Sequence, residues 1–330
     1  MKESILFCLF LFCSLPSFSA SSRMDSLLRE LDRAVSERSF YLQKKEQLIA
    51  EIIKRLENAE GNKESEYRIY GELFEAYKSF QMDSALSVAN RRIDVAARTG
   101  NSHYEIVASM NLAEVMMGTG MYKEAFDLLN SQRRGIQLTD VLIYRYHLYH
   151  SLYVLMSGYS ISPAQKALYR QYAVQYKDSI LSVLPEDLIG HQMVRTTRLL
   201  AEGRLDDALN VGLDCFRRFG TGNQSVAMSA YTLAEVYEAM GNREEEKRYL
   251  AISALGDLKG AVKEYISLRA LAVILYEEGD IARAYDYTKC AMEDAIFCNA
   301  RLRAFEISQM LPIINESYDV KMQTEKNRLA

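Results

Sequence analysis

Apolar residues recur along this chain at helical spacing, and glycines interrupt them at intervals. Segments 233–241 and 271–279, for example, place apolar side chains three and four positions apart and end in glycine. No segment alternates apolar and polar residues for long enough to indicate a β-strand. The pattern therefore predicts an all-α fold of helices joined by short turns.

The glycines at these turns mark an internal repeat. They are Gly120, Gly158, Gly203, Gly241 and Gly279, with spacings of 38, 45, 38 and 38 residues. Small residues stand seven positions before four of them (Ala113, Thr196, Ala234 and Ala272) and alanines five positions after three of them (Ala125, Ala208 and Ala284). Glycine tolerates the positive φ of a tight turn, and small side chains let two helices cross closely. Each unit is therefore predicted to be a helix, a glycine turn and a second helix packed against the first.

This unit resembles the tetratricopeptide repeat (TPR), whose usual length is about 34 residues. The resemblance is weakest at Gly158, where Pro163 takes the crossing position and the next spacing lengthens to 45 residues. We expect a TPR-like helical-hairpin superhelix, an α-solenoid of about six helix pairs plus caps. Its expected parts are an N-terminal helical cap over residues 24–62, the repeat array over 63–300, and a C-terminal capping or stalk helix over 301–330.

The first 20 residues have the features of a secretory signal peptide. An apolar run over residues 5–13 follows Lys2, and Pro16 precedes small residues suited to signal peptidase. The run is shorter than the roughly 20 apolar residues that span a bilayer, which disfavours the alternative of an uncleaved membrane anchor. We therefore expect an exported, periplasmic protein.

Composition narrows the class of protein further. Only 4 Pro and 16 Gly in 330 residues are too few for a turn-rich β-protein, and a net charge of −4 gives no nucleic-acid-binding footprint. After loss of the signal peptide three cysteines remain, Cys215, Cys290 and Cys298. They form no disulfide framework, and we expect them to be buried as small apolar side chains.

Residues that could carry catalysis are scarce. His147 and His150 lie three residues apart on a predicted helix, but the chain has no HExxH, GxSxG or phosphate-binding glycine motif. We therefore expect no enzyme activity, no metal and no cofactor.

The prediction that remains is binding of a protein or peptide on the concave face, which the first helix of each pair lines. Helix spacing suggests thirteen candidate residues for this face: Met110, Glu114, Met117, Tyr146, Tyr149, Tyr153, Met228, Tyr231, Glu235, Glu238, Arg269, Tyr276 and Glu277. The alternative for the tyrosines is that they pack between helices in a chain with no Trp. This mixture of Tyr, Glu and Arg does not favour a clamp of several basic side chains for a C-terminal carboxylate.

Three further segments carry a resemblance to a bacterial family. They are residues 24–32 (MDSLLRELD), 41–46 (YLQKKE) and 70–85 (YGELFEAYKSFQMDSA). With the signal peptide they resemble an uncharacterised family of envelope proteins, often called putative transcriptional regulators. Its members have an exported TPR region, one transmembrane helix and a cytoplasmic C-terminal part.

The resemblance implies the sensory arm of a membrane-anchored regulator, with membrane contact only through a segment not present in this chain. The sequence after Ile314 is polar and fits either a stalk leading to a membrane helix or a polar cap. A complete soluble periplasmic scaffold or adaptor is the alternative function.

Overall fold

The computed structural model describes residues 16–131, 139–219, 222–263 and 266–329. Most of the predicted signal peptide lies outside these residues. In chain order, the helices of the described residues are α1 (Pro16–Ser36), α2 (Arg38–Glu57), α3 (Lys63–Tyr77), α4 (Met82–Thr99), α5 (Ser102–Gly118), α6 (Tyr122–Ser131), α7 (Thr139–Tyr159), α8 (Pro163–Val183), α9 (Ile189–Ala201), α10 (Leu205–Phe219), α11 (Asn223–Ala239), α12 (Arg243–Lys259), α13 (Ser267–Glu277), α14 (Ile281–Cys298), α15 (Arg301–Ser308) and α16 (Leu311–Leu329).

Six helix pairs, from α3/α4 to α13/α14, lie between the N-terminal pair α1/α2 and the C-terminal helices α15 and α16. Side-chain caps fix where several helices begin: the side chain of Asn62 accepts from the Ser65 amide at 3.1 Å, and that of Asn101 from the His103 amide at 3.0 Å. At Gly241 and Gly279 φ is +70° and +85°, so the chain turns where the repeat pattern predicts.

Small residues lie where the paired helices cross. Ala113, Ala234 and Ala272 on first helices are 0 to 2% exposed, and Ala125, Ala208 and Ala284 on second helices are 0% exposed. The predicted α-solenoid of helical hairpins is confirmed, and its hydrophobic core runs along the array through these crossings.

Two regions differ in detail from the repeat pattern. Gly158 lies inside α7 rather than at a turn, and the next helix begins at Pro163, with Ser162 as its N-cap. The C-terminal region forms two helices rather than one polar helix. Of these, α16 packs along α14, with Ile314 only 1% exposed and the rings of Tyr285 and Tyr318 stacked at 4.4 Å.

The N-terminal helices contact the far end of the array. Helix α1 packs against α12 and α14, and Leu31 of α1 is fully buried in their shared core. Asp32 accepts hydrogen bonds from Tyr287 at 2.6 Å and from Arg283 at 3.0 Å, while Glu30 pairs with Lys259 at 2.8 Å. These contacts join α1 to helices more than 200 residues away in the sequence.

The first repeat also contacts the helices near the C-terminal end of the array. The backbone amide of Lys263, after α12, donates to the carbonyl of Ser79, between α3 and α4, at 2.8 Å. The ring of Phe80 lies 5.3 Å from that of Phe297 on α14. Two contacts thus join the turn between α3 and α4 to the late helices.

All three cysteines outside the signal segment are free and buried, as predicted. None of the helices that the structure describes is long and apolar enough to cross a membrane.

Candidate functional site

The best-defined site is a cavity of about 1050 Å³ at the N-terminal end of the array. It is lined by the first helices of three consecutive pairs (α3, α5 and α7), by α2, and by one side chain of α4, Arg92. First helices of successive repeats form the concave face of such arrays. The cavity therefore lies on the face that corresponds to this concave surface. We call it the Arg92 cavity.

Arg92 reaches into this cavity across helix α3. Its guanidinium lies 4.2 Å from the centre of the Tyr67 ring, and Tyr67 in turn stacks on Tyr104 at 4.0 Å. One turn further along α3, Gly71 leaves the space that Arg92 occupies, since a Cβ there would lie 2.7 Å from Nη2 of Arg92. Tyr67 and Gly71 of α3 thus form a cradle for the guanidinium of Arg92.

A chain of hydrogen bonds leads from Arg92 to the rim of the cavity. Nη1 of Arg92 donates to Oδ1 of Asn111, and Nδ2 of Asn111 donates to the Tyr144 hydroxyl at 2.9 Å. That hydroxyl donates to Glu114 at 2.5 Å, and Glu114 also accepts from Lys78 at 3.2 Å. The C-terminal cap of α3 and the helices α4, α5 and α7 are therefore held in one polar network.

Burial and neighbouring charges set the protonation of this network. Burial, followed by the charge of Glu114, raises the pKa of Tyr144, so its hydroxyl remains a donor. Burial alone would lower the pKa of Lys78, but Glu114 and Glu75 outweigh it and the pKa is raised. Burial lowers the pKa of Lys45, an effect that Glu75 opposes.

Of the thirteen residues predicted for the concave face, four are core residues. Met110, Met117, Tyr149 and Tyr153 are between 1 and 9% exposed and belong to one hydrophobic cluster. Tyr149 stacks on Tyr176 at 4.8 Å and donates to Asn130 at 2.9 Å. These four side chains lie in the core because α5 and α7 pack against neighbours on more than one side. Tyr149 and Tyr153 pack between helices.

Two predicted residues of α13 are engaged by the chain's own C-terminal helices. Arg269 lies 3.6 Å from Glu306 of α15, and the hydroxyl of Tyr276 lies 3.2 Å from that of Ser317 on α16. Glu277 is exposed and pairs with Arg243. The last repeat thus offers less open surface than its sequence suggested.

Other candidates lie on or near a second polar region formed by α7, α8 and α11. Glu235 is half-buried, and burial raises its pKa to about 7, against the opposing effect of Lys177. Tyr146 and Tyr231 are also half-buried, whereas Met228 and Glu238 are exposed. Glu114 is the one predicted residue that joins the network of the Arg92 cavity.

The two histidines of α7 fit this polar interior as neutral side chains. Burial lowers the pKa of both and brings that of His150 to about 4, while Nδ1 of His150 lies 2.9 Å from the carbonyl oxygen of Ala173. Within the described ranges, no group of three or more His, Cys, Asp and Glu side chains could hold a metal ion.

Four residues of the site were not predicted from the sequence: Tyr67, Arg92, Tyr104 and Asn111. Arg92 is on a second helix, whereas groove residues are expected on first helices. Two local signals point to the site. Gly71 stands inside a helix, where glycine costs about 1 kcal/mol relative to alanine, and Asn111 interrupts the apolar run of α5.

Comparison with known proteins gives one family match. The family model described as the SusR N-terminal TPR domain matches residues 35–309. No curated protein matches this chain, and no enzyme family is indicated.

Solved structures of other proteins are similar to this chain. A Rap protein in complex with competence and sporulation factor is 12% identical, with 92% of this chain and 88% of that chain covered and a TM-score of 0.51. A tetratricopeptide repeat protein from Parabacteroides merdae is 13% identical, with 87% of this chain and 99% of that chain covered and a TM-score of 0.44. At these identities the likeness concerns the fold alone.

Proposed function

We propose that this chain, which belongs to the SusR N-terminal TPR domain family, is an exported sensory module that binds a peptide or protein segment in the Arg92 cavity. TPR domains are protein-interaction modules, and the open cavity on the first helices carries the proposal. Its volume, about 1050 Å³, lies at the upper end of ordinary ligand sites (~300–1,000 Å³). It can hold a few residues of an extended peptide.

Two observations support binding of a peptide or protein segment in this cavity. Its wall is held by the hydrogen-bond network of the Arg92 cavity, so little ordering is needed on binding. In addition, the Rap protein of the same fold was crystallised with competence and sporulation factor, so a helical array of this kind is compatible with holding a bound factor.

Peptide binding is tested by screening the full chain against a library of octapeptides and measuring the best binders by calorimetry. Val107 lines the cavity, and Val107→Arg should fill it and weaken binding at least tenfold. Val154 is 49% exposed on α7, outside the cavity, and Val154→Arg is the matched control. Circular dichroism confirms that both variants fold. Peptides that bind the Val107→Arg variant as tightly as the wild type would place the binding surface elsewhere.

Export is proposed from the sequence of residues 1–20. Expression of the full chain should yield a periplasmic product whose N-terminus lies near residue 20, as N-terminal sequencing would record. Leu9→Arg, within the apolar run, should keep the protein in the cytoplasm. Periplasmic, processed Leu9→Arg protein would contradict the signal-peptide interpretation.

The sensory role rests on the resemblance to membrane-anchored regulators. It predicts that the reading frame continues past codon 330 into about 20 apolar residues and a further domain. Sequencing the coding DNA tests this directly. A stop codon after Ala330 would contradict the sensory arm and favour the periplasmic scaffold or adaptor.

A further inference from the structure

We propose that the Arg92 cavity is specific for a single carboxylate, which the bound segment places against the guanidinium of Arg92. This inference rests on the proposed function, because it names the chemical group that the cavity recognises. The inference is drawn from the burial of Arg92 and from the partners of its guanidinium.

Arg92 is a largely buried cation that has no ion-pair partner among the described residues. Among the residues that the structure describes, no carboxylate lies within ion-pair distance of its guanidinium, and its side-chain partner Asn111 is neutral. The Nε–H is buried without a hydrogen-bond partner. Glu75, which lines the same cavity, pairs instead with Lys78 at 3.0 Å. Burying a charge without a partner is unfavourable, so an anion from outside the chain would complete the site.

Two other arginines near the cavity have carboxylate partners. Arg55 pairs with Glu72, and Arg98 pairs with Glu66 at 2.9 Å. Both are more than half exposed, where an ion pair contributes little. Arg55 and Arg98 thus have carboxylate partners, whereas Arg92 has none among the described residues.

The charges around the cavity favour a monoanion. Its lining holds four cationic side chains (Lys45, Arg68, Lys78 and Arg92) and three carboxylates (Glu64, Glu72 and Glu75), a surplus of one positive charge. One carboxylate balances this surplus, whereas a dianionic phosphate would exceed it. The planar guanidinium suits a carboxylate geometrically, and Tyr67 and Gly71 already fix its plane.

The test compares two probes that differ in one group, N-acetyl-tyrosine and N-acetyl-tyrosinamide, by ligand-observed NMR with the full chain. Both offer a ring to the aromatic wall, but only the first carries a carboxylate. We expect N-acetyl-tyrosine to bind at least tenfold more tightly. Arg92→Gln should abolish the difference, and Arg91→Gln, at the exposed neighbouring residue, should preserve it.

Gly71→Ala provides a second variant that keeps every charge. Its Cβ would displace Arg92 from the cradle, so the preference for the carboxylate probe should fall severalfold even if Arg92→Gln fails to fold. A third probe, N-acetyl-glutamyl-tyrosinamide, distinguishes an acidic side chain from a C-terminal carboxylate as the source, with its glutaminyl analogue as control.

Equal binding of N-acetyl-tyrosine and its amide, or binding of neither, would overturn carboxylate recognition. A carboxylate preference that persists in Arg92→Gln would do the same. The octapeptide screen decides separately whether the cavity binds peptides. Peptides that bind in a Val107-dependent manner regardless of charge would therefore uphold the proposed function while refuting this inference.

Discussion

Lys263 and Asp294 form an ion pair that is almost completely removed from water. Their side chains are 4% and 9% exposed, and Nζ lies 2.9 Å from Oδ1. Such a pair adds little stability by itself, but losing one partner leaves the other charge buried and unpaired.

Asp294→Ala should therefore lower the free energy of unfolding by about 3–5 kcal/mol, measured by urea denaturation. Asp127→Ala, which removes the partner of Lys123 in an exposed pair, should have no measurable effect. Equal effects of the two substitutions would mean that the Lys263–Asp294 pair is open to solvent.

Ionisation of Glu235 lowers the stability of the folded protein, and this effect depends on pH. Burial raises the pKa of this carboxyl from its ordinary value of 4.5 to about 7, while Lys177 lowers it and Glu238 raises it. The folded state therefore favours the neutral acid. The cost of charging Glu235 is absent below pH 4.5, develops between pH 4.5 and 7, and is complete above pH 7.

Glu235→Gln should accordingly stabilise the protein at pH 8 and not at pH 4.5. The change in pKa sets an upper value of about 3 kcal/mol, and partial exposure of the side chain reduces the expected gain to about 1–2 kcal/mol. Urea unfolding at the two pH values measures it, with Glu124→Gln on the exposed face of α6 as control. An equal gain at both pH values would show that charge is not the cause.

At the scale of the helices, packing depends on the small residues at each crossing. Ala234 of α11 is 2% exposed, whereas Ala239, on the same helix, is exposed. A larger side chain at the crossing must push α12 away from α11, because a well-packed core has no room for additional methylene groups.

Ala234→Leu should therefore destabilise the protein by about 1–3 kcal/mol, and Ala239→Leu should change it little. Thermal unfolding of the two variants compares the same substitution at a crossing and on the surface. Similar melting temperatures would contradict the close crossing.

Much at this scale could be predicted from the sequence. The turns at Gly203, Gly241 and Gly279 and the crossing alanines follow from residues within one repeat, and these predictions are confirmed. Which face of a helix remains open could not be predicted, because it depends on neighbours from other repeats. Tyr149 and Tyr153 therefore proved to be core residues, and Arg269 proved to be covered by α15.

At the scale of the whole molecule, α1 closes the array onto itself. Leu31 is 0% exposed in a core that includes Tyr287 of α14, and Asp32 is hydrogen-bonded to both Tyr287 and Arg283. An array in which each repeat contacted only its neighbours would unfold by local steps. A closed array links the stability of its two ends.

Leu31→Ala should cost about 2–5 kcal/mol and should also increase hydrogen exchange in α12 and α14, while α5–α8 keep their protection. Leu168→Ala, at a residue 42% exposed on α8, is the control. If exchange in α14 were unchanged in Leu31→Ala, α1 would not contribute to the stability of the far repeats.

The sequence by itself determined the helix pairs, their turns, the close crossings and the all-α class, because these depend on contacts within a single helix pair. Only the tertiary structure decided that α1 meets α14, that α15 and α16 cover part of α13, and that Arg92, Gly71 and Asn111 meet at one cavity. These contacts depend on the rotation between successive repeats. Small rotations accumulate along a superhelix. The position of one repeat relative to a distant one therefore cannot be derived from the sequence of any single repeat.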